Sequence, residues 1–147
     1  MTICAKGWTD TTIGEVADLI RGVTYQKEQA SSHPAEGVVP LLRATNIAAN
    51  LILDADLLYV PQSVVAEKQM LRTGDIVIAA SSGSQAVVGK SAFLATAWRG
   101  TFGAFCAVLR AHAVDPRFLA YRVASPDIRQ LWSDAASGTN INNLKRD

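Results

Sequence analysis

Hydrophobic and polar positions along this chain fall into two rhythms, and the clearest signal lies at residues 71–91. A turn at Gly74-Asp75 leads into an unbroken apolar run from Ile76 to Ala80. Four small residues, Ser81, Ser82, Gly83 and Ser84, interrupt it before a second run at Ala86, Val87 and Val88, continued by Ala92-Phe93-Leu94. β-branched runs bounded by Gly, Asp and Ser clusters predict buried strands, and the short serine link predicts a tight loop between them. Such a loop has hydroxyls, backbone N–H groups and little bulk, so another molecule can approach closely. It carries no evident nucleophile.

Other stretches follow the helical rhythm. Thr12 and Glu15 fit a capping box, and Ile13, Val16, Leu19 and Ile20 share one face, predicting a helix that Gly22 closes. Val64, Val65, Lys68 and Leu71 have the same spacing, predicting a helix over residues 63–72 that ends at Gly74. Asp115-Pro116 reads as an N-cap followed by proline at the first helical position. Ser125-Pro126-Asp127 repeats that grammar before Ile128, Leu131 and Trp132, with Gly138 as a C-terminal cap. Strands are predicted at residues 38–42, where Pro40 suggests an edge or a strand end, at 57–60, stopped by Pro61, and at 104–110 after a turn at 100–103. Residues 25–37 are polar and read as a surface loop. Helices at both ends and strands between them give an α+β class: a single mixed domain with a twisted, mostly antiparallel sheet.

Composition narrows this picture. The chain has 147 residues, 49% of them apolar, and a formal charge of +1. That length suits one domain with its own core. Near-neutrality predicts no strong field, so a polyanion site must come from local clustering. Cys4 and Cys106 are too few and too far apart for a metal knuckle or a disulfide scaffold, and Cys106, inside an apolar run, reads as a buried thiol. No apolar run approaches the ~18 residues of a membrane span, and residues 1–10 lack an export signal. The expected location is cytoplasmic.

Catalytic motifs fail on spacing. A phosphate-cradling loop needs four residues between Gly and Gly-Lys-Ser, whereas five separate Gly83 from Gly89-Lys90-Ser91. The following Ala-Phe-Leu-Ala-Thr-Ala-Trp is no clear amphipathic helix. Ser81, Ser82 and Ser84 lack the flanking glycines of a nucleophile elbow. Asp54 and Asp56 read as turn residues, and His33 and His112 belong to no metal-spaced set. What remains is a series of polar turns at residues 43–46, 81–85, 99–101 and 139–145. Arg suits guanine, Asn and Gln suit adenine, and Ser, Thr and Lys suit phosphates.

The order of these pieces resembles a target recognition domain of a type I restriction–modification specificity subunit. The resemblance spans nearly the whole chain. Its fragments are Trp8 with Ile13-Gly14-Glu15-Val16, then Val39-Pro40-Leu41-Leu42-Arg43-Ala44-Thr45-Asn46-Ile47. Leu71 with Gly74-Asp75-Ile76-Val77, the Ser82-Gly83-Ser84 turn and Val88-Gly89-Lys90 follow. The tail Ser137-Gly138-Thr139-Asn140-Ile141-Asn142-Asn143-Leu144 is the most telling.

The resemblance implies a non-catalytic subunit that reads one half of a bipartite DNA target. No cofactor is then expected on this chain: S-adenosylmethionine belongs to modification (methyltransferase) subunits, and ATP and magnesium to partner subunits including the restriction subunit. Self-association is a further expectation. The DNA-binding residues expected are Arg43, Asn46, Ser82, Gly83, Ser84, Gln85, Lys90, Thr101, Asn140, Asn142, Asn143 and Lys145. In the family the Asn-rich segment leads into a long spacer helix and a second recognition domain. Residues 1–147 are therefore expected to form a single recognition domain, the N-terminal half of a longer subunit. A rival expectation is a truncated subunit that acts as an assembly module without binding DNA itself.

Overall fold

The unbroken apolar run at residues 76–80 is explained by a layer on each side of it. The computed structural model describes residues 8–81 and 87–135. In chain order the elements are α1 (Ile13–Val16), β1 (Ala17–Arg21), β2 (Val38–Leu42), β3 (Leu58–Pro61), β4 (Ile76–Ala79), β5 (Ser91–Phe93), β6 (Thr101–Phe102), β7 (Cys106–Ala111), α2 (Pro116–Ala124) and α3 (Pro126–Ala135). The class is α+β, and the strands divide into two sheets rather than one. A four-stranded antiparallel sheet has the order β1-β7-β4-β5, and a three-stranded sheet has the order β3-β2-β6.

All of β4 is buried. Ile76 and Ile78 face a core with Leu109, Leu119, Val123 and Trp132, which places α2 and α3 on that side. Val77 and Ala79 face the opposite way, into a core with Leu42, Ile47, Leu94, Phe102 and Val108. Alternate residues of a strand point to opposite faces, so a strand covered on both faces must be apolar throughout. Each fully buried branched side chain contributes roughly 1.5–3 kcal/mol relative to exposure. A third, smaller core of Val23, Val39, Leu41 and Val60 lies on the far side of the three-stranded sheet.

Three predicted elements take other forms. The helix expected from residue 13 lasts one turn and becomes β1, pairing antiparallel with β7 from Ala17↔Ala111 to Arg21↔Ala107. The ladder overrides the helical spacing, and Leu19, assigned to the apolar face, is exposed. Thr12 makes no side-chain cap. The neighbouring Thr11 hydroxyl instead donates to Glu15 at 2.7 Å. Residues 63–72 form two 3-10 turns, Gln62–Val64 and Glu67–Gln69, rather than an α-helix. Here Gln69 turns back, accepting from Ala66 N at 3.0 Å and donating to Arg21 O at 3.1 Å. Val87 and Val88 lie in a turn, and the second strand of that hairpin begins at Ser91.

Pro40 sits in the central strand of its sheet rather than at an edge. The backbone of its partner Tyr59 bonds to Ser31 instead, at 2.7 and 2.9 Å. The missing N–H therefore costs no bond to β3, and pairing with β6 begins only at Leu41. The predicted cap at Asp115 is present: its carboxylate accepts from Arg117 N at 2.8 Å and Phe118 N at 3.3 Å. The Ser125 hydroxyl and the Arg122 guanidinium both bond Asp127 at the start of α3, which lowers its pKa to about 2. Gly138 lies outside the described residues.

Candidate functional site

The strands β2 and β6 run parallel and end together, Leu41 beside Thr101 and Leu42 beside Phe102. Beyond them Gly103 N donates to Leu42 O at 2.9 Å, and Val23 N donates to Phe102 O at 2.8 Å. The chain after β1 thus joins the end of the smaller sheet. Gly22 makes this junction possible, because a Cβ there would overlap the carbonyl of Gly103.

A groove of about 1090 Å³ opens where these chain ends meet. Its walls come from the 23–30 segment, from residues 43–45 after β2, and from the 103–106 turn before β7. Val23, Leu58 and Cys106 supply its apolar floor, and burial pushes the Cys106 thiol up to about 12, keeping it protonated. Thr24, Thr45 and Ser81 bring hydroxyls, Lys27 and Arg43 bring positive charge, and Tyr25 and Phe105 bring aromatic rings; among the described residues no carboxylate lines it. Lys27, Thr24 and Phe105 were not among the residues expected from sequence, whereas Ser81 opens the expected 81–85 turn. Lys27 stood in a polar loop, and Phe105 looked like the start of a buried strand.

Of the expected residues, Arg43 lines the groove. Its Nη2 donates to Asp56 Oδ1 at 2.9 Å and to Asp56 O at 3.2 Å, while the side chain stays 37% exposed. Asp56 reaches that position with φ of 53°, a left-handed conformation that suits its place in a turn.

Asn46 and Thr101, expected to face DNA, are both 0% exposed. Asn46 Oδ1 accepts from Arg43 N at 2.9 Å, and Nδ2 donates to Ile52 O at 3.2 Å, Ala55 O at 3.0 Å and Asp56 O at 3.3 Å. It ties the loop after β2 to the 52–56 segment, because buried amides must find partners. Thr101 Oγ1 donates to Gln69 O at 2.6 Å. The structure therefore corrects the expectation for both: they shape the site from inside and offer no polar atom to a duplex. Lys90 is half-buried beside β4, with its carbonyl accepting from Ala79 N at 2.8 Å, and does not line the groove. Ser82, Gly83, Ser84, Gln85, Asn140, Asn142, Asn143 and Lys145 lie outside the described residues.

Away from the groove, a polar cluster is built around an ion pair. Arg110 Nη2 meets Asp75 Oδ2 at 2.8 Å, with Asp75 buried, and the same guanidinium donates to Lys68 O and Met70 O. That cluster staples the 3-10 segment onto β7. His112 stands 3.8 Å from Asp18, both exposed. Among the described residues no group of three or more His, Cys, Asp or Glu side chains could hold a metal ion, and no helix is long and apolar enough to cross a membrane.

Comparison with known proteins gives this geometry a context. No family model matches the sequence. The chain is 42% identical over 141 residues to the type I restriction enzyme StySPI specificity subunit of Salmonella potsdam. It is 43% identical over 141 residues to the EcoKI specificity subunit of Escherichia coli. Each match covers 95% of this chain and 30% of the relative, so the chain spans about a third of their length. The crystal structure of the HsdS subunit from Thermoanaerobacter tengcongensis superposes with a TM-score of 0.67 at 17% identity, over 91% of this chain and 31% of that one. A second structure, from work on complex assembly and conformational transition of the type I R-M system, gives 0.70 at 17%, over 99% and 34%. The chain is a relative, over nearly all its length, of the type I restriction enzyme specificity subunits, and it shares the fold of part of an HsdS subunit.

Proposed function

We propose that this chain is a sequence-specific DNA recognition domain, reading one half of a bipartite target for a type I restriction–modification enzyme. The observation that carries the reading is its 42–43% identity, over 95% of its length, to proteins named as specificity subunits. The groove adds chemistry of the right kind: Lys27, an Arg43 held by Asp56, the hydroxyls of Thr24, Thr45 and Ser81, and two aromatic rings. Cations and hydroxyls hold phosphates, and base edges are met by side chains placed between them. In this reading the chain is non-catalytic and cytoplasmic. Modification and restriction subunits are its partners, and they carry S-adenosylmethionine, ATP and magnesium. Residues 82–85 and the Asn-rich tail remain part of the proposed contact set.

The test is selection from a pool of random duplexes with the purified chain. Enrichment of one short sequence supports the reading, and retention of none contradicts it.

The rival assembly reading has one observation in its favour. Phe118 and Tyr121 on α2 are exposed, and the exposed Trp8 ring lies 5.8 Å from that of Phe118. Copurification with a modification subunit, with no duplex retained by either the chain or the complex, would favour it.

A further inference from the structure

Phe105 is 70% exposed, yet the backbone that carries it is fixed. Its carbonyl accepts from both Ala80 N at 2.8 Å and Ser81 N at 3.0 Å, and Cys106 N closes the turn onto Gly103 O at 2.9 Å. A ring held out from a braced turn differs from one exposed on a fraying end. Its surroundings are specific too, with Lys27 and Arg43 in the same groove and Ser81 and Thr45 on its walls. A phenyl ring gains nothing from a phosphate. It gains from a thymine methyl exposed in the major groove, while neighbouring cations suit the backbone on either side.

We propose that Phe105 is the base-contacting side chain of this groove, with Lys27 and Arg43 holding the flanking phosphates of duplex DNA. The duplex face is then the end of the β2–β6 pair and not the α2 face around Arg117 and Tyr121. Asp56 serves as the positioning group for Arg43, since both of its bonds go to Nη2 and fix the guanidinium plane. This assignment rests on the DNA-recognition reading above.

The test uses the 147-residue chain and the duplex it enriches from a random pool, with affinity measured across a salt series. Lys27→Ala should weaken enriched and random duplexes alike and reduce the salt slope by about one. Phe105→Ala should weaken the enriched duplex on the order of tenfold while changing random duplex little. Phe105→Trp should restore the preference, and Tyr121→Ala should bind as the parent does. Thermal melts that match the parent show that the variants fold. If the parent enriches a sequence and Phe105→Ala and Lys27→Ala bind it unchanged, the groove assignment falls and the DNA reading stands. Loss of binding in Tyr121→Ala alone would move the duplex to the α2 face and overturn the proposal. If the parent enriches nothing, the DNA reading itself fails.

Discussion

The two sheets of this protein are held together by different forces. The four-stranded sheet is apolar on both faces at its centre, β4 and most of β7, packed against α2 and α3 on one side and the smaller sheet on the other. The three-stranded sheet has one strand of two residues, and much of its surroundings is fixed by directed hydrogen bonds from Asn46 and Thr101. Apolar burial is non-directional and tolerates many sequences. Polar braces hold loops in particular shapes, and loops are where a binding site can vary without disturbing the scaffold. The groove lies at the end of the second sheet, beside the braces.

The largest test of that contrast is the polar pair that the four-stranded sheet itself carries. Asp75→Ala leaves the Arg110 guanidinium largely buried without its counter-ion, bonded only to the Lys68 and Met70 carbonyls. It should cost about 3–5 kcal/mol in urea unfolding, whereas the double variant Asp75→Ala/Arg110→Met should lose less. A loss below about 1 kcal/mol in the single variant would mean the pair is a bystander. Asn46→Ala comes next. It strands the Arg43 N–H and several carbonyls, so about 1–3 kcal/mol is expected, together with weakened DNA retention because the groove wall shifts. Asn46→Ala with parental stability would show that this loop needs no brace. Thr101→Val, nearly isosteric, removes one bond and should cost about 1 kcal/mol. Asp115→Ala, at the cap of α2 far from the groove, should cost about 1 kcal/mol and leave DNA retention untouched. An effect of Asp115→Ala on retention would erase the division between scaffold and site.

The same contrast explains what the sequence made legible. β4, β7 and the Asp115-Pro116 helix start were readable because burial on both faces or a local cap writes itself into adjacent residues. The strand β1 was not, since Ile13, Val16, Leu19 and Ile20 satisfy a helical spacing that only pairing with β7 overrides. The 62–69 turns were missed for a related reason: Gln69 bonds to Arg21, 48 positions away. Asn46 and Thr101 carried the right chemistry for a duplex, but nothing local says whether a polar side chain faces water or a buried carbonyl. The groove unites Thr24, Lys27, Arg43, Ser81 and Phe105 from four separate stretches, so no spacing rule could assemble it. Phe105 in particular hid at the head of an apolar run whose later members are buried.

The most direct measurement is photocrosslinking to the enriched duplex, with a photoreactive phenylalanine analogue replacing Phe105 in one preparation and Tyr121, 81% exposed, in another. The account predicts adducts from position 105 and none from position 121. Adducts from position 121 with none from position 105 would place the duplex on the helical face and contradict it.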